Sequence, residues 1–269
     1  MIHISVCFDF SIDIKERLHL IKQAGFDGVM LMWGGHHDVM DYAYHPAYAQ
    51  NIGLHIENVH LPHKQVNDLW LDTLDGRDFE KSLIGYAEDC FQNAIQTMVL
   101  HPTVTGTPPP PNKIGINRLK AVLEYAEKKG VRIALENLKQ IHYLQYIFER
   151  TPASNLGFCY DSGHNHWCTP ELDLLSTYGA RLMAVHLNDN DGCLYNNPKD
   201  DLHRMPFDGR LDWASVMKGI ASTGYQGAVS LELEKRGYEQ VPVELFLHTA
   251  YERACKLAAL MPPAKGAKS

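Results

Sequence analysis

No stretch of this chain approaches the roughly twenty consecutive apolar residues that a membrane-spanning helix needs. No basic segment precedes its first apolar run, MIHISVCFDF, which reads as a strand rather than a leader peptide. The expectation is a cytoplasmic protein without a membrane partner. The six cysteines, Cys7, Cys90, Cys159, Cys168, Cys193 and Cys255, form no C-x-x-C pair, which argues for free thiols over disulfides or a thiolate zinc site. Positive charge is short as well. Against 32 acidic residues stand 25 lysines and arginines, a net charge of −7, and a field of that sign repels a phosphate backbone, so nucleic acid is disfavoured as a partner. Assembly of identical chains into a homo-oligomer is compatible with this composition.

What the sequence does have is alternation. Short β-branched and apolar runs, IHISVCFD, DGVMLMW, LHIENVHL, TMVLHP, RIALEN, LGFCYD, LMAVHLND and GAVSLELE, read as strands buried on both faces. Between them lie amphipathic segments such as IDIKERLHLIKQAG and INRLKAVLEYAEKKG, several closing on a glycine stop signal at Gly25, Gly130 or Gly224. Eight β-then-α units in 269 residues fit an α/β fold, a single (β/α)8 barrel over residues 1–269, which typically takes about 250 residues. The proline-rich TGTPPPPN, residues 105–112, reads as a stiff loop inside that domain. The longest connection runs from Asn190 to Arg210, and the last residues, about 262–269, read as a frayed tail.

A barrel of this kind carries its site at the C-terminal ends of the strands. There the chain places His60, His101, Glu136, Asp161 with His164 just beyond, His186 and Glu232, and the loop after the seventh strand adds Asp201 and His203. Singly, each has an ordinary explanation: a strand-end histidine is often a satisfied hydrogen-bonding group, and an aspartate before a Ser-Gly turn is often a helix cap. Together, closely spaced carboxylates repel one another, and a divalent cation with imidazole partners neutralises them. A mixed nitrogen and oxygen set suits zinc or manganese, with iron, cobalt and magnesium as alternatives.

The ordered segments IALEN, CYDSGHNH, AVHLNDNDG, DDLHRMPFDGRLDW and SLELE resemble the xylose isomerase-like TIM barrels, which include sugar isomerases, epimerases and apurinic endonucleases. The resemblance implies that one metal is held by Glu136, Asp161, His186 and Glu232, that the two glutamates supply acid–base chemistry, and that His164 touches substrate. Two positions depart from the ketose epimerases: His142 stands where they carry a second glutamate, and Gly192 where they carry an arginine. The nine residues His60, His101, Glu136, Asp161, His164, His186, Asp201, His203 and Glu232 also match the trinuclear zinc pattern of the apurinic endonucleases.

The first expectation is therefore a metal-dependent isomerase or epimerase of a sugar or sugar phosphate. A cation chelating the carbonyl and adjacent hydroxyl of a ketose would stabilise an enediolate, with Glu136 and Glu232 as base and acid. A zinc-cluster phosphodiesterase is the alternative, against which stand the net charge and His63 and Lys64, where the endonucleases carry residues that enter DNA. A non-catalytic metal- or sugar-binding barrel comes last, because no ligand position is missing. Trp33, Trp70 and Trp167 near strand ends are candidate walls for a small-molecule carbohydrate, and Arg204 and Arg210 are candidate phosphate contacts. WGGHHD, residues 33–38, reads as a turn, His166 as loop and Asp212 as a helix cap.

Overall fold

The computed structural model describes residues 4–8, 11–33, 45–104, 106–196 and 198–261. Most of the glycine-rich turn at 33–38 and the tail at 262–269 lie outside them. Eight strands follow one another as anticipated: β1 Ile4–Phe8, β2 Gly28–Met32, β3 His55–His60, β4 Thr97–Leu100, β5 Arg132–Glu136, β6 Leu156–Asp161, β7 Leu182–His186 and β8 Val229–Leu233. Each pairs in parallel with its sequence neighbour through β7, and β8 pairs with β1. The ring closes where Leu187 N–H donates to the Ser230 carbonyl at 2.9 Å and Glu232 N–H to the Leu187 carbonyl at 3.2 Å. This is the (β/α)8 barrel.

The described helices are α1 Ile14–Ala24, α2 His45–Asn51, α3 Leu74–Gln92, α4 Lys113–Lys128, α5 His142–Arg150, α6 Ser162–Cys168, α7 Leu174–Tyr178, α8 Trp213–Ser222 and α9 Val243–Leu260. Their starts follow from capping. Asp13 accepts from Lys15 N–H and Glu16 N–H, Asn112 from Ile114 N–H and Gly115 N–H, and Asp212 from Ser215 N–H, the cap that the sequence indicates. All three glycine stop signals adopt the left-handed backbone that glycine tolerates best, with φ of 108° at Gly25, 70° at Gly130 and 80° at Gly224.

Strand alternation divides the residues between two surroundings. One set packs outward against the helices, as Val6, Val59, Ile133 and Leu231 do together with Leu18, Leu119 and Phe246. The other points into the barrel, where Val99, Ala134, Cys159 and Ala184 form a small apolar cluster. Two residues further along the same strands stand Glu136, Asp161 and His186, so the apolar cluster is the floor of the site.

Two of the three tryptophans expected to wall a ligand are instead structural. Trp70 is buried, donates its indole N–H to the Pro102 carbonyl at 2.9 Å and meets Tyr143 edge-on at 5.3 Å. A Cβ at Gly115 of α4 would lie 2.2 Å from that ring, so the helix docks on the indole face. Trp33 is fully buried beside Tyr86, their ring centroids 6.0 Å apart. A large apolar side chain gains most by complete burial, and neither indole lines the cavity described below.

Candidate active site

At the C-terminal mouth of the barrel a cavity of about 340 Å³ is lined by His60, His101, Glu136, His164, Asp201, His203 and Glu232. Asp161 and His186, both with zero exposure, sit beneath it. The ligand-type atoms of Glu136, Asp161, His186 and Glu232 all lie within 4.8 Å of one another. His186 Nδ1 is the hinge of this group, 3.2 Å from Glu136 Oε2 and 3.2 Å from Glu232 Oε2. All nine strand-end residues singled out from the sequence meet at this end.

Two further groups flank the central one: His60 and His101 against Glu136, and His164 and His203 against Asp201. In the first, His60 Nε2 and His101 Nε2 are 3.0 Å apart and lie 3.3 and 3.6 Å from Glu136 Oε2. In the second, Asp201 receives His164 Nε2 at 3.4 Å and His203 Nε2 at 3.2 Å. Three of these imidazoles rest Nδ1 on a backbone carbonyl: His60 on Leu61 at 2.9 Å, His164 on Asn137 at 3.1 Å and His203 on Glu232 at 3.3 Å. A carbonyl only accepts, so Nδ1 carries a proton in each. Nε2 of His60 and His203 turns toward a carboxylate, while His164 meets one with each nitrogen, Nδ1 lying 3.0 Å from Glu136 Oε1.

Burial sets opposing demands on these groups. It would raise Glu136, but the imidazoles of His186 and His101 outweigh it and hold that carboxyl well below the ordinary range. Asp161 goes the other way, pushed up to about 6 by burial and by Glu136 and Glu232, with His164 opposing. His203 overcomes its burial through Asp201 and rises to about 10, and Asp201 is correspondingly lowered. His63, stacked on His101 with ring centroids 4.9 Å apart, is pushed down to about 4 by burial and by the neighbouring His101 and His60.

Asp161 is held in place by the His164 backbone and by two asparagines that composition and motif did not mark. Its carboxylate accepts from His164 N–H at 2.6 Å and from the Asn188 amide at 2.9 Å, while Asn137 pairs with its backbone in both directions. His63, Lys139, Cys7 and Glu234 also line the cavity. Cys7 was discoverable in principle, since it is the β1 register partner of Glu232. The others sit on loops or a strand's last step, where chain direction decides. Of the tryptophans, Trp167 lines the cavity. Arg204 does not: its guanidinium pairs with Asp191 at 2.9 Å. The backbone of Arg204 bridges Asp189, away from the cavity that His203 lines. His166 falls in α6 rather than a loop, its ring 2.9 Å from Asn190 Oδ1.

The donor set fits a divalent cation. Both carboxylate oxygens of Glu136, Oε2 of Glu232 and both ring nitrogens of His186 are buried without a hydrogen bond, an arrangement that normally needs compensation. Three carboxylates and one imidazole are the hard and borderline ligands that zinc, manganese or iron take.

Comparison with known proteins agrees with this architecture. Residues 18–257 match the family model described as xylose isomerase-like TIM barrel. An uncharacterized protein, y4fM, of Sinorhizobium fredii is 39% identical over 112 residues, covering 39% of this chain and 34% of that one. An inosose isomerase of Halalkalibacterium halodurans is 24% identical over 152 residues, 54% of each chain. These matches therefore span about a third to a half of the relatives' length. Among solved structures, the IOLI protein with a bound zinc atom superposes with a TM-score of 0.80 at 18% identity, over 98% of this chain and 100% of that one. The match over residues 18–257, on a closed barrel with its polar residues gathered at one mouth, makes this chain a member of the xylose isomerase-like TIM barrel family.

Proposed function

We propose that the protein is a divalent-metal-dependent isomerase or epimerase of a small carbohydrate. The observation that carries this reading is the pair of carboxylates, Glu136 and Glu232, each 3.2 Å from His186 Nδ1 and both open to a cavity of about 340 Å³. Glu136, Asp161, His186 and Glu232 would hold the cation. A bound divalent cation supplies Lewis acidity that makes a carbon acid beside a carbonyl easier to ionise. The chain supplies the proton traffic: one glutamate removes the proton and the other returns it, each over hydrogen-bonding distance. His164, fixed through its Nδ1 on the Asn137 carbonyl, offers Nε2 to a substrate oxygen. The relative named inosose isomerase and the zinc in the IOLI structure support the substrate class and the metal.

The test is exchange of a substrate C–H for deuterium in D2O, followed by NMR on a panel of ketoses and inososes with metal-loaded protein. Exchange in wild type should fall by about 10²–10⁴-fold in Glu232→Gln when metal content is held equal. No exchange with any member of the panel removes the reading.

The two flanking groups favour a second reading, a metal cluster acting on a phosphodiester. Elemental mass spectrometry separates the two. One metal per chain, unchanged in His203→Ala, supports the isomerase; two or three, with one lost on substitution and cleavage of abasic DNA, support the cluster.

A further inference from the structure

We propose that the cavity admits an uncharged polyol or keto-sugar and turns away its phosphate esters, an inference that rests on the sugar reading above. Apart from the imidazoles that face its carboxylates, the side-chain charge around the mouth is predominantly negative. Four carboxylates line it, Glu136, Asp201, Glu232 and Glu234, and among the described lining residues Lys139 is the one lysine or arginine. Its ammonium is already held by Asn196 Oδ1 at 2.6 Å.

Three other cations of the strand-end loops are engaged elsewhere, and Lys64, Lys199 and Arg210 do not line the cavity. Arg236 lies 3.3 Å from Glu234 and donates to the Asp201 carbonyl. Lys235 donates to the Tyr238 and Val241 carbonyls, and Arg204 pairs with Asp191. The two strand-end segments outside the described residues, 9–10 and 34–44, contain no lysine or arginine.

The helix start that belongs to the ligand set is no ready substitute. A helix start can cradle a phosphate with its free N–H groups, but α6, which begins in the site, has its His164 N–H taken by Asp161 Oδ1. A phosphate ester would bring two negative charges among these carboxylates with no guanidinium fork to receive them. The remaining wall, Met32, Leu138 and Trp167, suits the C–H faces of a polyol. The volume, about 340 Å³, is at the small end of the roughly 300–1,000 Å³ range of ligand pockets and matches one sugar.

The experiment is titration calorimetry and deuterium exchange with metal-loaded protein. Its probes are D-tagatose and D-fructose with their 6-phosphates, myo-inositol with its 1-phosphate, and inorganic phosphate alone as the control for direct coordination. The neutral member of at least one pair should bind at least about tenfold more tightly than its ester. Glu234→Lys, at an exposed position, should narrow that gap by strengthening ester binding, more so at low salt. Preferential binding and exchange of an ester would overturn the proposal and leave the isomerase reading standing. If no member of any pair binds or exchanges, both fall. Discrimination in binding without any exchange supports the proposal and removes the isomerase reading.

Discussion

His203 shows how much of this site's chemistry is set residue by residue. Its backbone sits in the left-handed region, φ 43°, a conformation that costs a non-glycine residue about 1 kcal/mol or more, and the Asp201 carboxylate beside it lifts the imidazole to about 10. In an unfolded chain the same histidine ionises near 6.5. The folded, metal-free protein therefore gains stability from this group fully below about pH 6.5 and loses it as pH rises toward 10. Asp201, lowered by His203 and His164 against its burial, contributes in the opposite sense: its share is present above the ordinary aspartate value and disappears as pH falls through the lowered one. The expected outcome for chelator-treated protein is a fall in urea-unfolding stability between pH 6.5 and 9 that is shallower in His203→Ala. Parallel pH profiles for the two proteins would mean that the pair is not coupled as the geometry indicates.

At the scale of elements, the long connection between β7 and α8 depends on one buried carboxylate. Asp189, with zero exposure, accepts from the backbone N–H of Asn190 at 2.9 Å, Phe207 at 3.0 Å and Leu211 at 3.2 Å, and from the Trp213 indole at 2.8 Å. Its backbone also pairs with Arg204 in both directions, at 2.9 and 3.0 Å, which fixes where His203 stands. Asp189→Ala would leave those donors unpaired, the Asn190 N–H and the Trp213 indole among them buried, at a cost of about 3 kcal/mol. Far-UV circular dichroism should hardly change, while limited proteolysis should open within residues 190–212. Unchanged protease resistance would show that the loop is organised by something else. The positions of the strands and of the polar residues ending them were legible because an apolar run closing on a charged residue has one meaning in a barrel. The insides of the loops were not. Whether Trp70 faces the cavity or α4, and whether Arg204 or His203 turns inward, depends on the path of the chain after the strand, and no spacing in the sequence records that path.

Across the whole molecule, the site and the core are separate structures that share strands. The apolar residues between strands and helices form one continuous cluster, whereas the metal-ligand candidates occupy the barrel's interior above the small floor of Val99, Ala134, Cys159 and Ala184. The folding energy supplied by the cluster does not depend on a cation, so metal-free protein should remain folded. It should nevertheless be less stable. A cation that binds only the folded state at a thousandfold excess over its Kd contributes about 4 kcal/mol, and for a chain of this size that corresponds to a Tm difference of about 10 °C. Calorimetry before and after chelation should show this shift, with full recovery on adding back zinc or manganese. Cooperative unfolding should persist in the stripped state. The shift should also shrink as pH falls from 7 to 5, because protons compete for His186, which its Cys159, Glu232 and Glu136 neighbours raise well above the ordinary histidine range despite burial. A chain that lost its fold on chelation would show instead that the carboxylates at the mouth, left without a cation, outweigh what the surrounding apolar layer contributes.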